Sequence, residues 1–373
     1  MCGIVGYVGK DEALPILLDG LRNLEYRGYD SSGVVVFGGK AASAVKAVGR
    51  VANLEEKLKS AKKALSGVVG IAHTRWATHG GVTELNAHPH WDCKREIFAV
   101  HNGIIENFKE LRVRLQEQGH KFISETDTEV IPHLVEEIIK SHQGIPFEEA
   151  VRRAVGELRG TYGLVIFSSR EPGKLVAARN FSPLMLGIGS GETLIASDAN
   201  AILPRTRNVL YMKNGEIAVV TASSYKIMNA KNEIIERSVE TLAGKDVVLA
   251  RKGGYEHFML KEISEQPDAI RDSIRGRLRA EQGEAVLGGL REIDKKLRGV
   301  KRVLVSACGS AYLAGKVGEY FLEEYAGIPV EVDYASEVRY RKPVFEAGDA
   351  FLVISQSGET ADTLAALAEA KEK

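Results

Sequence analysis

The chain has 373 residues, of which 44% are hydrophobic and 27% charged, and its formal net charge is zero. This length suggests two or three domains, and the balanced charge gives no support to nucleic acid or a membrane surface as a partner. No apolar run approaches the roughly 18 residues that span a bilayer. Three dispersed cysteines show neither a disulfide framework nor zinc-ligand spacing. We therefore predict a cytoplasmic globular protein with no metal and no cofactor.

The chain opens with MCGIVGY, which places Cys2 directly after the initiator methionine. Removal of that methionine would leave Cys2 with a free α-amino group, whose pKa near 7.7–8.0 suits a base. A thiol and a base in one residue form an N-terminal nucleophile. The following GIVGYVG predicts a short buried strand that holds the terminus. An accidental cysteine is the alternative that these seven residues leave open.

Short apolar runs and helical patterns alternate up to about residue 240. Helical spacing occurs in ALPILLDGLRNLEYRG, NFKELRVRLQEQG, TEVIPHLVEEIIKSH and FEEAVRRAVGELRG, and EIAVVTASSYKIMN is predicted as a strand. A change of rhythm predicts a domain over 1–240, a linker over 241–256 and a second domain over 257–373. Strand–loop–helix units in the second domain predict a parallel sheet. The sheet has too few units to be covered on both faces, so we expect the domain to be truncated.

Two polar clusters follow apolar runs in the first domain. HTRWATHG places Arg75 at the mouth of a predicted strand, where a guanidinium can bind a carboxylate through two hydrogen bonds. HNGIIEN places Asn102 beside Gly103, and their N–H groups can stabilise one oxyanion. The alternatives are a solvated loop whose Arg75 pairs with a surface acid, and an ordinary Asn-Gly turn.

A third segment, ETDTEV, carries Asp127 just before a helical pattern. Asp127 is predicted either to cap that helix or to bind a substrate ammonium. The three clusters together describe a site for glutamine. Arg75 would bind its α-carboxylate and Asp127 its α-ammonium, while Cys2 attacks the side-chain amide and Asn102 and Gly103 stabilise the oxyanion.

Several motifs in order carry a resemblance to a known family. CGIVGYVG, LEYRGYDSSG, HTRWATHG, NAHPHWD, HNGIIENF and ETDTEVI resemble an N-terminal-nucleophile glutamine amidotransferase domain. YEHFMLKEISEQPDAI, ACGSAYLAG, SEVRYRKP and SQSGETADTLAAL resemble the sugar-isomerase module fused to it in glutamine–fructose-6-phosphate aminotransferases. The resemblance implies a four-layer αββα domain followed by a flavodoxin-like α/β domain. It also implies L-glutamine and fructose 6-phosphate as substrates, glucosamine 6-phosphate as product and a homodimer.

The resemblance also implies roles for individual residues. It assigns glutamine binding to Arg75, Thr78, His79 and Asp127, and the gating of an ammonia channel to Trp76. From the sequence alone Trp76 is equally a core aromatic. Cys93 receives no role, and Cys308 is expected to be a small packed residue.

Two loops of the second domain are predicted to bind the sugar phosphate. Each follows a strand and opens a helix, where free N–H groups and the helix dipole attract phosphate. Ordinary helix capping is the alternative. The family usually has Thr-Ser where this chain has Ser310 and Ala311, which puts one hydroxyl donor in doubt. The predicted residues are Gly309, Ser310, Ser355, Gln356, Ser357 and Thr360.

Other enzymes with the same glutaminase head, such as phosphoribosyl-pyrophosphate amidotransferase or asparagine synthetase, need a nucleotide or pyrophosphate loop that this sequence lacks. A non-catalytic sugar-phosphate sensor is a further alternative, disfavoured by the complete set of catalytic groups. The family's isomerising residues lie later than the stretch present here. We therefore expect this chain alone to act only as a glutaminase.

Overall fold

A computed structural model describes residues 2–39, 41–61, 65–76, 80–242, 255, 257–287, 290, 293–341, 343–356, 358 and 360–373. The chain divides into two compact units, Met1–Ala243 and Gly244–Lys373. This division lies inside the predicted linker, most of which falls outside the described residues. The domain boundaries therefore stay predictions, and each unit is considered by itself.

The first unit contains two antiparallel sheets. The eight-stranded sheet has the order β14-β11-β9-β10-β1-β4-β2-β3, and the six-stranded sheet has the order β13-β12-β8-β7-β6-β5. The strands are β1 Gly3–Val8, β2 Ser31–Phe37, β3 Ala42–Val48, β4 Val69–Arg75, β5 His90–Trp91, β6 Ile97–Ile105, β7 Gly160–Ser168, β8 Leu175–Asn180, β9 Met185–Gly189, β10 Glu192–Ala196, β11 Asn208–Tyr211, β12 Glu216–Val220, β13 Tyr225–Met228 and β14 Glu240–Thr241.

Helices cover the outer face of each sheet. Buried residues of α1 and α2 pack on the eight-stranded sheet, and those of α3, α4 and α5 pack on the six-stranded sheet. A third apolar core, which includes Phe98 and Phe167, fills the space between the sheets. These layers confirm the expected αββα architecture. The helices are α1 Ala13–Leu24, α2 Val51–Ser60, α3 Phe108–Glu117, α4 Val130–Ser141 and α5 Phe147–Glu157.

Strand β1 lies in the interior of the eight-stranded sheet and is buried throughout. It pairs with β4 on one side and β10 on the other, with Gly3 opposite Thr74. The Ile4 N–H donates to Ser197 Oγ at 3.0 Å. Cys2 immediately precedes this strand, so the backbone next to it is held on both sides.

One predicted strand proves to be two. EIAVVTASSYKIMN forms β12 and β13, which pair with each other as a hairpin. In the turn, Thr221 N–H donates to the Ser224 carbonyl at 2.8 Å, and Ser224 N–H donates back to Thr221 Oγ1 at 3.0 Å. Hydroxyl side chains that bond to nearby backbone favour turns over strands, which explains the break.

The second unit contains a three-stranded parallel sheet with the order β18-β17-β19. Of these three strands, the one that comes earliest in the sequence, β17, lies in the middle, as in flavodoxin-like doubly wound sheets. This arrangement confirms the predicted α/β class. None of the helices in the described parts of the chain is long and apolar enough to cross a membrane. The elements of the unit are α6 Phe258–Ile274, β15 Leu278–Arg279, β16 Glu284–Ala285, α7 Asp294–Leu297, β17 Arg302–Ala307, α8 Ser310–Phe321, β18 Val330–Tyr334, α9 Ala335–Tyr340, β19 Asp349–Ile354 and α10 Ala361–Glu372.

Candidate functional site

The thiol of Cys2 lies at the end of β1, beside the end of β4. The Trp76 N–H donates to Cys2 Sγ at 3.1 Å. Burial raises the pKa of the Cys2 thiol, while this N–H and the Arg75 guanidinium act in the opposite direction. Because the net shift is upward, the thiol is protonated at neutral pH and requires a base before it can act as a nucleophile.

Asn102 reaches Cys2 from the facing sheet. Its Nδ2 donates to the Cys2 carbonyl at 3.0 Å. Its Oδ1 lies 3.0 Å from His73 Nε2, which also lies 3.1 Å from the His101 carbonyl. Two acceptors on one nitrogen place the imidazole proton on Nε2, so His73 donates and fixes the orientation of the Asn102 amide.

Asn102 and Gly103 lie within β6 and pair with β7, so the prediction of an Asn-Gly turn is wrong. Gly103 has φ of 128°. A Cβ at this position would lie 2.1 Å from the Thr161 carbonyl oxygen. Only glycine adopts this positive φ and leaves room for the Thr161 carbonyl without strain. The close pairing of β6 with β7 beside Asn102 therefore requires glycine at position 103.

Arg75 ends β4 and is buried rather than solvated. Its guanidinium donates to the Gly81 carbonyl at 3.2 Å and the Gly80 carbonyl at 3.4 Å. These bonds tie the guanidinium to the backbone of Gly80 and Gly81. The other predicted members of this cluster, Thr78 and His79, lie outside the described residues.

Asp127 does not cap a helix. Helix α4 begins at Val130 with Glu129 at its N-cap position, so the capping interpretation is wrong. The Asp127 carboxylate accepts a hydrogen bond from the Ile105 N–H at 2.8 Å, three residues beyond Asn102 on β6. Burial lowers the pKa of Arg75, and the Asp127 charge is among the nearby groups that oppose this. The positive charge of Arg75 and the negative charge of Asp127 therefore attract each other.

Trp76 is not a core residue. Its side chain is 48% exposed and packs edge-to-face on Tyr29, with the ring centroids 5.8 Å apart. Its backbone binds the Cys2 thiol while its ring remains at the surface of the unit. The core interpretation is therefore wrong, and the role of a gate stays a prediction.

The two predicted phosphate loops of the second unit leave adjacent parallel strands. Ala307 and Ile354 are register partners at the ends of β17 and β19. Gly309, with φ of 58°, precedes α8, which begins at Ser310. Both loops therefore open at the same edge of the sheet.

Within the second of these loops, Ser355 Oγ accepts from the Gly358 N–H at 3.0 Å. It also lies 3.2 Å from the Thr360 hydroxyl. Thr360 is the N-cap residue of α10 and makes no side-chain capping bond. Gln356 is exposed, and Ser357 lies outside the described residues. Cys308 packs partly buried near Ala366, as expected.

Sequence reasoning missed a cluster of four buried histidines beneath the Cys2 site, His73, His88, His90 and His101. The rings of His73 and His88 stack at 4.1 Å. The Thr128 hydroxyl lies 3.0 Å from His101 Nδ1 and 3.4 Å from His88 Nε2. The histidines come from three separate segments, so no spacing in the sequence links them.

One family model matches within each of the two units. Residues 73–204 match the glutamine amidotransferase domain, and residues 296–373 match the SIS domain. Curated relatives from Chlorobaculum tepidum and Symbiobacterium thermophilum are 51% and 48% identical over the whole of this chain. Both are named glutamine–fructose-6-phosphate aminotransferase [isomerizing]. The chain spans 61% and 60% of their respective lengths.

Solved structures agree on the fold. The glutamine phosphoribosylpyrophosphate amidotransferase from B. subtilis matches with a TM-score of 0.53 and 20% identity, covering 89% of this chain and 65% of that one. A structure described as the allosteric regulatory enzyme of purine biosynthesis also has a TM-score of 0.53, with 22% identity, covering 95% of this chain and 69% of that one. At such identities the similarity concerns the fold alone.

The buried histidines predict a loss of stability in acid. Burial lowers the pKa of His73 to about 3 and holds the pKa values of His88 and His90 well below their ordinary value. The folded state keeps these rings neutral, whereas the unfolded state takes up protons below about pH 6.5. Their stabilising effect is therefore present above pH 6.5 and lost as the pH falls. Each histidine should contribute a slope of about 1.4 kcal/mol per pH unit well below pH 6.5.

The measurement is urea unfolding between pH 7.5 and 4.5. Trp76 and Trp91 are the chain's two tryptophans, so their fluorescence reports on the first unit. His90→Gln should reduce the slope by about 1.4 kcal/mol per pH unit, whereas His142→Gln, on the surface, should leave it unchanged. An unchanged slope in His90→Gln would contradict the assignment of a neutral buried ring.

Proposed function

The chain belongs to the family of the glutamine–fructose-6-phosphate aminotransferases, and from this premise we propose that its first unit hydrolyses L-glutamine with Cys2 as nucleophile. We further propose that the family's full reaction passes this ammonia to fructose 6-phosphate, for which the second unit provides a phosphate site, and that this chain alone carries out only the glutaminase step. The observation that carries the glutaminase proposal is the contact between Asn102 and Cys2. It brings an amide donor from one sheet against a thiol-bearing residue of the other.

The reaction begins with proton transfer from the Cys2 thiol, because burial keeps this thiol protonated. After removal of Met1, the α-amino group of Cys2 takes that proton. Sulfur then attacks the amide carbon of glutamine, and its carbonyl oxygen becomes an oxyanion. Asn102 Nδ2 and the Gly103 N–H stabilise this charge. The C–N bond breaks as the ammonium returns the proton to the departing nitrogen, which leaves a thioester and ammonia. Water then hydrolyses the thioester to glutamate.

The amino-acid end of glutamine would be held by the buried charges around Cys2. Arg75, fixed by its bonds to Gly80 and Gly81, binds the α-carboxylate. Asp127, fixed by Ile105, binds the α-ammonium. Both side chains are preorganised, which lowers the entropic cost of binding. Thr78 and His79 complete this pocket in the proposal, and Trp76 gates the exit of ammonia.

The second unit would bind the phosphate of fructose 6-phosphate. Its loops leave adjacent parallel strands at one edge, which is where ligands bind in open α/β sheets. The helix starts at Ser310 and Ala361 provide N–H groups for an anion. The homodimeric state and the cytoplasmic location belong to the same proposal. The proposed sugar-phosphate ligands are the backbone and side chains of Gly309, Ser310, Ser355, Gln356, Ser357 and Thr360.

We expect Cys2→Ala to abolish ammonia release from glutamine while preserving the fold, because the nucleophile is lost. A tag that blocks the α-amino group of Cys2 should have the same effect, since the base is lost. Glutamate formation measures both. The matched control is Cys308→Ser, which removes a thiol from the other unit and should retain full activity. Activity near the parent rate in Cys2→Ala would refute the proposal.

Variants of the proposed binding residues and of the proposed oxyanion donor should affect different kinetic constants. Arg75→Ala and Asp127→Ala should mainly raise the KM for glutamine, because their contacts exist in both ground and transition states. Asn102→Ala should lower kcat by about 100-fold or more, as expected for a lost oxyanion donor. Steady-state kinetics of the three variants provide the test. A change of KM alone in Asn102→Ala would assign it to binding.

The sugar-phosphate site is tested by calorimetric titration of the full chain with fructose 6-phosphate. Thr360→Val should weaken binding about 10-fold, because one hydrogen bond to a charged phosphate is lost. Ser264→Ala, on exposed α6, is the matched hydroxyl control. Tighter binding of phosphoribosyl pyrophosphate than of fructose 6-phosphate would favour a different acceptor. Equal binding by Thr360→Val and the parent chain would remove Thr360 from the site.

A further inference from the structure

Four side chains with metal-binding atoms meet on the helical side of the six-stranded sheet. Cys93 lies in the turn between β5 and β6, and His120 lies just after α3. His133 and Glu136 lie three residues apart on α4. One ligand atom from each residue lies within 4.8 Å of all the others. We call these four residues the Cys93 cluster.

Five of the six separations within the Cys93 cluster are close to the edges of a tetrahedron around zinc, and the sixth, from Cys93 Sγ to a Glu136 carboxylate oxygen, is at most 4.8 Å. The Nδ1 atoms of the two histidines are 3.3 Å apart, and Cys93 Sγ lies 3.8 Å and 3.6 Å from them. Glu136 Oε2 lies 3.2 Å and 3.7 Å from the same two nitrogens. Tetrahedral zinc with ordinary bond lengths requires about 3.4 Å between two nitrogens and about 3.6 Å between sulfur and nitrogen.

Groups outside the Cys93 cluster orient its ligands. Glu137 Oε2 lies 3.0 Å from His120 Nε2, and Glu129 Oε1 lies 3.8 Å from His133 Nε2. The Glu137 carboxylate favours a proton on His120 Nε2, which directs the Nδ1 lone pair of that ring inward. Glu129 lies at ion-pair distance from His133 Nε2, beyond hydrogen-bond range. The Lys121 N–H donates to Cys93 Sγ at 3.4 Å. This N–H favours a thiolate, whereas burial and the Glu136 carboxylate raise the pKa of the Cys93 thiol overall, so a cation is needed to hold the sulfur deprotonated.

Charge and donor type favour zinc over other common ions. A thiolate and a carboxylate together neutralise a divalent cation, so the buried His120 and His133 need not carry charge. Sulfur and imidazole donors suit zinc, whereas magnesium and calcium prefer oxygen. The alternative is a hydrogen-bonded polar cluster. That alternative relies on one Nδ1–H···Nδ1 bond between the two rings and on Glu136 Oε2, which also accepts from the Cys93 N–H at 3.1 Å.

We propose that the Cys93 cluster binds one zinc ion as a closed structural site. The ion would join the β5–β6 turn, the segment after α3 and helix α4, three parts of the chain that hydrogen bonds from the Cys93 N–H to Glu136 and from the Lys121 N–H to Cys93 already link. Glu129 also accepts hydrogen bonds from the N–H groups of Ile123 and Ser124. The metal would therefore fix both ends of the segment that carries Asp127. This link to glutamine binding rests on the proposed function, whereas the metal site does not.

The first test measures zinc directly. The untagged full chain is produced with added zinc, dialysed and analysed by elemental mass spectrometry. A four-ligand site predicts about one zinc per chain. Cys2→Ala should retain this zinc, which excludes the other accessible thiol of the first unit. Cys93→Ala should lose it and Cys308→Ser should retain it. Absence of zinc from the parent chain, or its retention by Cys93→Ala, would overturn the proposal.

The second test does not depend on whether Cys93→Ala folds. Cobalt(II) added to the metal-free Cys2→Ala chain should give the visible absorption of a tetrahedral ion and a thiolate charge-transfer band. An octahedral spectrum without that band would overturn the site. Chelation of the zinc-loaded parent chain, which retains Cys2, should lower the melting temperature of its first unit. A raised KM of the parent chain for glutamine after chelation would extend the effect to Asp127. An unchanged KM would remove that link and leave the metal site intact.

Discussion

The site of the first unit depends on the pairing of β1 between β4 and β10. An N-terminal residue is ordinarily frayed, yet the residue that follows Cys2 is fixed by hydrogen bonds on both sides. The end of β4 then presents the Trp76 N–H to the thiol, and the facing sheet presents the Asn102 amide to the Cys2 carbonyl. Although Cys2 lies near the N-terminus, its position is therefore fixed by hydrogen bonds to interior strands of both sheets.

The same arrangement explains the histidines beneath the site. The amide of Asn102 presents its nitrogen to the Cys2 carbonyl, and His73 fixes this orientation by donating to the amide oxygen. Burial also keeps the His73 ring neutral, and His88 stacks on it. The buried histidines thus both orient the Asn102 amide and make the stability of the fold sensitive to acid.

The two units use different solutions to position polar groups. In the first, reactive side chains meet where two packed antiparallel sheets bring their strand ends together. In the second, loops from neighbouring parallel strands open at one sheet edge, where helix N-termini supply N–H groups. The Cys93 cluster represents a third solution, in which side chains from a turn, a loop and a helix converge around a point without help from a sheet edge.

The sequence by itself determined the fold classes, the order of the two units and most residues around Cys2. Those features rest on local patterns such as strand periodicity, glycine-bounded turns and short motifs. Tertiary structure decided what depends on contacts between distant segments. Asp127 bonds to β6 instead of capping α4, and Trp76 lies at the surface instead of in the core. Neither the four buried histidines nor the Cys93 cluster follows a recognisable sequence spacing. Loops separate the buried histidines, and a whole helix separates Cys93 from His120. Cys93 and His133 are 40 residues apart in the chain but 3.6 Å apart in space, and only packing brings such residues together.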